Sequence, residues 1–148
     1  MYNNYGVSLL FIYLGMANLI DFSKPKPYYN SRVWPKYDEW KAMLAASKWV
    51  YIGNLSFYTT ESQIHALFSR IGSVRRVILG RNKHDKTPCG FGFVEYTNHD
   101  DCLQAVSFLS NSKLDDRIIK VELDPGYEDG RQWGRSRDGG IYIYIYIY

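Results

Sequence analysis

The sequence VYIGNL at residues 50–55 and the sequence CGFGFVEY at residues 89–96 decide the fold. Both are short runs of β-branched and aromatic residues interrupted by glycine, a composition typical of β-strands. Successive side chains of a strand point to opposite faces of its sheet. Tyr51 has the opposite parity to the aliphatic residues on either side of it, and Phe91 and Phe93 have the opposite parity to the apolar residues that follow them. The pattern therefore predicts three aromatic rings on the sheet face that points away from the core.

The three predicted rings indicate a stacking surface. One buried aromatic residue is common in a protein core, but three rings of this shared parity are not explained by core packing. Single-stranded RNA is recognised by stacking its bases on such rings, and each stacked base contributes about 1–3 kcal/mol by alanine substitution. The two strands also resemble the hexamer and octamer of RNA-recognition motifs, with Cys89 where Lys or Arg is usual.

The periodicity of the intervening sequence predicts two helices and two further strands. Thr60 followed by Gln63 fits a capping box, and the apolar residues after it recur at helical spacing until Gly72. Asn98 is expected to cap a second helix with its side chain. The predicted strands span residues 49–53, 74–79, 90–96 and 118–123, and an exposed loop spans 80–88. The order βαββαβ predicts an α+β, ferredoxin-like fold: a four-stranded antiparallel sheet with two helices on one face and an open opposite face.

The chain is expected to divide into five segments. Residues 49–123 form the βαββαβ domain, residues 23–48 an extension that contributes to the ligand site, and residues 124–140 a basic extension rich in Gly and Arg. The apolar run within residues 1–22 is shorter than a membrane-spanning helix requires. It is interpreted as a disordered leader, a helix that packs on a partner, or sequence upstream of a start at Met16. Residues 141–148 alternate Ile and Tyr, as a TA dinucleotide repeat would encode, and are assigned no function.

The composition of the 148-residue chain favours a binding protein over an enzyme. The net charge of +3 is compatible with a phosphate-bearing partner. Two cysteines are too few for a disulfide framework and favour a reducing, intracellular compartment. The cysteines and histidines lack metal-ligand spacing, and no nucleophile with an adjacent base is apparent. The sequence therefore predicts neither metal, cofactor nor catalysis.

Four further motifs make a narrower resemblance. YIGNLSFYTT at residues 51–60, KTPCG at 86–90, LDDRII at 114–119 and GRQWGR at 130–135 resemble the small subunit of the nuclear cap-binding complex. The resemblance implies a nuclear protein, able to shuttle to the cytoplasm, that binds the methylated guanosine cap of RNA. It implies a heterodimer with a large helical-repeat subunit and roles in pre-mRNA processing, splicing and RNA export.

The resemblance also implies roles for residues that would hold the base of the cap. Tyr51 would form one side of a sandwich around the methylated guanine, and Tyr28 or its neighbour Tyr29 the other side. Because the methylated base is positively charged, two electron-rich rings would add cation–π attraction to stacking. Glu122 and Asp124 would accept hydrogen bonds from the guanine edge.

The remaining implied site residues are basic or aromatic. Lys120, Arg131 and Arg135 would contact the cap phosphates or order the C-terminal extension around the ligand. Phe91 and Phe93 would form the floor of the site or stack the following nucleotide.

The sequence departs from the resembled family in the last predicted strand. Residues 120–124 read KVELD where the family has RTDWD, so Lys120 lacks the bidentate fork of Arg and Leu123 replaces an aromatic residue. These changes, with the Ile-Tyr repeat at residues 141–148, indicate a divergent paralogue or an imperfect gene model. Two alternatives stay open: a general single-stranded RNA-binding module without cap specificity, and a protein-interaction module that has lost RNA binding.

Overall fold

The computed structural model describes residues 36–134. The predictions for residues 1–35 and 135–148, among them those for Tyr28, Tyr29 and Arg135, lie outside the described residues. The described helices are α1 (Tyr37–Ala46), α2 (Glu61–Phe68) and α3 (His99–Leu109). The strands are β1 (Trp49–Gly53), β2 (Val74–Arg81), β3 (Pro88–Tyr96), β4 (Lys113–Leu114), β5 (Arg117–Ile118) and β6 (Lys120–Asp124).

The main sheet has four antiparallel strands in the order β2-β3-β1-β6. Strands β1 and β3, which contain the two opening motifs, therefore lie in its centre. The short strands β4 and β5 form a separate hairpin before β6. Helices α2 and α3 pack on one face of the sheet, and the predicted βαββαβ architecture is confirmed.

The core lies between this sheet and the two helices. Val50 and Ile52 of β1 are fully buried against apolar side chains of α2 and α3. Tyr96 of β3 is also fully buried, and its hydroxyl donates a hydrogen bond of 2.8 Å to the carbonyl oxygen of Phe68. That bond satisfies the only polar group which the ring brings into the core. The predicted parity of both central strands is thus confirmed on the core side.

Helix α2 begins as the capping-box pattern predicts. The main-chain N–H of Gln63 donates to the Thr60 hydroxyl at 3.3 Å, and the main-chain N–H of Thr60 donates to the side-chain oxygen of Gln63 at 2.8 Å. The helix ends at Phe68, one turn before Gly72.

Helix α3 begins without the predicted side-chain cap. Asn98 occupies the N-cap position in an extended conformation, but its side chain makes no capping hydrogen bond, so that prediction is wrong. Asp100 and Asp101 place negative charge in the first turn instead, where it interacts favourably with the helix dipole.

Four features of the secondary structure differ from the sequence-based expectation. Strands β2 and β3 extend into the predicted loop as far as Arg81 and Pro88. The predicted strand at 118–123 is divided between β5 and β6. Helix α1 was not predicted. Its sequence contains good helix formers, and the apolar residues Trp40 and Leu44 are four positions apart, which is a helical spacing; both are buried in the structure. Among residues 36–134, no helix is long and apolar enough to cross a membrane.

Candidate nucleic-acid interface

The sheet face opposite the helices carries two rows of side chains that cross all four strands. The strand register aligns the first row as Arg76, Glu95, Trp49 and Asp124. It aligns the second row as Ile78, Phe93, Tyr51 and Glu122. Alternation of side chains places these residues together, because each is one position removed from a core residue.

The three predicted rings lie together on this face. The centroid of the Tyr51 ring is 6.2 Å from that of Phe91 and 5.7 Å from that of Phe93, and the two phenylalanine rings are 6.0 Å apart. The Phe91 ring lies directly on Gly80, where a β-carbon would stand 2.3 Å from it. The absence of a side chain at Gly80 therefore leaves room for the Phe91 ring.

Glu122 and Lys120 form an ion pair beside Tyr51. The Lys120 ammonium is 2.8 Å from a carboxylate oxygen of Glu122, and Glu122 is the direct cross-strand neighbour of Tyr51. Burial raises the pKa of Tyr51 from 10.0 to about 12, and the negative charge of Glu122 is the next largest cause. At neutral pH the ring is therefore an uncharged, electron-rich phenol next to a carboxylate.

The raised pKa of Tyr51 predicts a loss of stability in alkali. The phenol ionises near pH 10 in the unfolded chain but near 12 in the folded one, so its contribution is complete below pH 10 and is lost as pH rises toward 12. Urea unfolding of the wild type and of Tyr51→Phe measures this. The difference in free energy of unfolding between the two proteins should be constant below pH 10. Above pH 10 the wild type should lose stability relative to Tyr51→Phe. A difference that stays constant throughout would contradict the prediction.

The buried Asp124 and the partly buried Arg131 form a bidentate pair. The two terminal guanidinium nitrogens of Arg131 donate to the two carboxylate oxygens of Asp124 at 2.6 and 2.7 Å. The main-chain N–H of Gly126 donates to the same carboxylate at 3.0 Å. Arg131 also donates to the carbonyl of Gly126, and its guanidinium lies 4.9 Å from the ring centroid of Phe93. Both oxygens of Asp124 are therefore occupied from within the chain, whereas Glu122 has a single ion-pair partner.

Residues 125–134, here termed the cross-sheet segment, run from the end of β6 across the face to the opposite edge of the sheet. The ring of Tyr127 lies over both rows of side chains. Its centroid is 5.4 Å from that of Trp49 in the first row and 5.4 Å from that of Phe93 in the second. Phe93 is consequently 2% exposed. The prediction of an open face is wrong for this part of the sheet, because the chain turns back over it after Asp124.

The far end of the cross-sheet segment is attached to β2. The main-chain N–H of Arg81 donates to the carbonyl of Gln132 at 2.7 Å, and the N–H of Gly134 donates to the carbonyl of Arg81 at 3.0 Å. The Lys86 ammonium lies 4.0 Å from the ring centroid of Trp133. Within the segment, the Tyr127 hydroxyl donates to Gln132 at 2.7 Å.

The structure thus brings together seven of the nine predicted site residues, and two lie outside the described part of the chain. The seven are Tyr51, Phe91, Phe93, Lys120, Glu122, Asp124 and Arg131. Sequence reasoning missed Trp49, Glu95 and Tyr127. Trp49 and Glu95 share the parity of the predicted rings, which was an available signal, whereas nothing local to Tyr127 indicates where its ring lies.

The described cysteines and acidic residues do not suggest another kind of site. Cys89 and Cys102 are both buried free thiols, and burial raises the pKa of Cys102 to about 12. Within residues 36–134, no group of three His, Cys, Asp or Glu side chains could hold a metal ion.

The fold and its face of aromatic rings are those of an RNA recognition motif. Residues 50–120 match the family described by that name. The solved structure of the Rna15 RNA recognition motif with bound RNA (GU) is similar to this chain, with a TM-score of 0.50 and 25% sequence identity. The similarity covers 57% of this chain and 89% of that one.

Relatives with higher identity define a narrower family. A nuclear cap-binding protein subunit 2 from Oryza sativa subsp. japonica is 49% identical over 126 residues, which cover 84% of this chain and 52% of the relative. The protein of the same name from Drosophila willistoni is 45% identical over 125 residues, covering 84% of this chain and 79% of the relative. The chain belongs to the family of nuclear cap-binding protein subunit 2. It spans about half the length of the Oryza protein and of similar proteins from other organisms.

Proposed function

We propose that this chain binds the methylated guanosine cap of RNA as the small subunit of a nuclear cap-binding heterodimer. One observation carries the proposal: an uncharged tyrosine ring, Tyr51, lies beside the carboxylate of Glu122 on the ring-bearing face of the sheet. The names of the relatives support the same ligand and the same kind of assembly.

The chemistry of the methylated base matches this pair of residues. Methylation gives the guanine a delocalised positive charge, which attracts the face of the Tyr51 ring in addition to stacking on it. The base also carries N–H donors along one edge, and Glu122 offers an acceptor next to the ring. An unmethylated guanine keeps the hydrogen bonds but loses the cation–π attraction, so the ring provides the preference for methylation.

Basic residues would bind the phosphates that link the cap to the RNA. Lys120 is the first residue of β6 and is half exposed, so it can turn from Glu122 toward an anion. Arg131 would remain with Asp124 and position the cross-sheet segment, or would exchange that carboxylate for a phosphate. Tyr28 or Tyr29 would supply the second ring, and Arg135 a further phosphate contact.

The proposed assembly includes a second, larger subunit built of helical repeats. The subunit name of the relatives supports a partner, and the sequence resemblance supplies its class. The complex would act in the nucleus in pre-mRNA processing and splicing, and would accompany RNA during export.

Replacing Tyr51 by Ala tests the proposal. We expect the variant to lose about tenfold or more in affinity for a methylated cap analogue, because one stacked base is worth about 1–3 kcal/mol. Titrations followed by tryptophan fluorescence, with and without the large subunit, should use methylated and unmethylated cap analogues. Tyr58→Ala is the matched control, since that ring is 91% exposed in the loop after β1. Equal affinity of the wild type for both analogues would refute cap recognition.

A general RNA-binding function is the second candidate, and the cluster of Tyr51, Phe91 and Phe93 favours it. It predicts binding of uncapped oligonucleotides that rivals the binding of capped ones. The position of the cross-sheet segment argues against such binding.

A further inference from the structure

Tyr127 occupies a position on the sheet that a nucleotide base would otherwise take. RNA recognition motifs bind by stacking two or three bases on the rings of their central strands. In this chain, the Tyr127 ring is 5.4 Å from the centroids of both Trp49 and Phe93, at interplanar angles of 33° and 56°. The distance is within the range of favourable aromatic pairs. The ring of Phe93 is therefore already packed against an aromatic ring of its own chain, that of Tyr127.

We infer that Tyr127 is a specificity-determining residue that excludes the bases of uncapped RNA from Phe93 and Trp49. The inference rests on the proposed function in that it assigns RNA to the same face. With Tyr127 in place, Tyr51 is the ring at which a base can be received, and it lies beside the carboxylate suited to guanine. A base without the positive charge of the cap then finds neither Phe93 nor Trp49 available as a second stacking ring.

The Tyr127 side chain is held by a hydrogen bond as well as by its ring contacts. Its hydroxyl donates to Gln132, whose same side-chain oxygen accepts from the main-chain N–H of Gly130 at 2.7 Å. Burial and the nearby Asp129 raise the pKa of Tyr127 above its ordinary value, so the phenol remains a hydrogen-bond donor at neutral pH and into the alkaline range. An RNA base that displaces the ring must also break the hydrogen bond to Gln132.

The attachment at β2 keeps the ring from swinging aside. The cross-sheet segment is held at one end by the Asp124–Arg131 pair and at the other by the two main-chain hydrogen bonds of Arg81. A segment fixed at both edges of the sheet can uncover Phe93 only by releasing one of these ends. Release at the β2 end leaves the proposed contacts of Tyr51 and Glu122 intact.

The first test is Tyr127→Ala in the full chain, with a fluorescently labelled, uncapped oligouridylate as the probe. We expect its affinity to rise by about tenfold, because one stacking position becomes available. Phe108→Ala is the matched control, since that ring is 69% exposed on α3, on the other side of the sheet, and it should leave the affinity unchanged. An unchanged affinity in Tyr127→Ala, with its urea unfolding still cooperative, would overturn the inference.

The second test changes the attachment and keeps the ring. Gly134→Pro removes the N–H that donates to Arg81, whereas Gly134→Ala retains it. We expect the proline variant to gain affinity for the uncapped oligonucleotide and the alanine variant not to gain it. Equal affinities of the two variants would contradict the role of the attachment.

The proposed cap binding and the proposed exclusion by Tyr127 can be refuted independently of each other. Loss of discrimination between methylated and unmethylated cap analogues would refute cap binding without affecting the gain for uncapped RNA. Conversely, a wild-type chain that prefers the methylated analogue and binds uncapped RNA no more weakly than Tyr127→Ala would refute only the exclusion by Tyr127.

Discussion

In the Asp124→Ala variant, the main-chain N–H of Arg81 is expected to exchange with solvent on the order of 100-fold faster than in the wild type. That N–H donates to Gln132, so it is protected only while the cross-sheet segment stays in place. The substitution removes the bidentate partner of Arg131, whose side chain is 22% exposed. Leaving a largely buried charge unpaired costs about 3–5 kcal/mol, and release of the segment lets the guanidinium reach water.

Hydrogen exchange followed by NMR measures this effect at single amides. Asp116→Ala is the matched control, because its carboxylate is paired with Lys113 but is almost fully exposed, and it should leave Arg81 unchanged. The N–H of Tyr96, which donates to the carbonyl of Lys48, should keep its protection in both variants. If Arg81 stays protected in Asp124→Ala, the ion pair is not what holds the segment closed.

The Phe68→Ala variant is expected to lose about 3–5 kcal/mol of the free energy of unfolding. Phe68 is fully buried between α2 and the sheet, and its ring lies 6.5 Å from that of Tyr96. Removing it leaves a cavity that the neighbouring helix and strand can only partly fill. The loss is a large fraction of the roughly 5–15 kcal/mol that stabilises a domain of ordinary size.

Equilibrium urea unfolding followed by circular dichroism measures this loss. Phe108→Ala removes the same ring from an exposed position on α3 and should change the free energy of unfolding by less than about 0.5 kcal/mol. Similar losses in both variants would mean that the interface between α2 and the sheet does not dominate stability.

The core and the ring cluster could be predicted because both follow from local alternation. Tyr51, Phe91 and Phe93 needed only the period of a strand to be placed on one face, and Thr60 with Gln63 needed only the spacing of a capping box. These signals act over a few residues. Asn98 shows their limit, because a suitable residue at an N-cap position does not oblige its side chain to make the bond.

The covering of the face could not be predicted in this way. The position of Tyr127 depends on where the chain turns after Asp124 and on the attachment at Arg81, which lies far away in the sequence. Contacts between residues far apart in the chain leave no periodic pattern in the sequence. The motif at residues 130–135 carried the resemblance to a family, but its sequence gave no indication that residues 130–134 belong to a segment that crosses the sheet.

The attachment at Arg81 also affects how the sheet can meet another chain. Strand β2 is an edge strand, and unpaired main-chain groups on such an edge can pair with a strand from another molecule, by β-augmentation or in aggregates. Trp133 forms a parallel bridge with Arg81 and thereby occupies that edge at one end of β2. The exposed Arg75 and Arg76 place positive charge near its other end. The same segment that covers the rings therefore also helps to keep the protein from adding strands to its sheet.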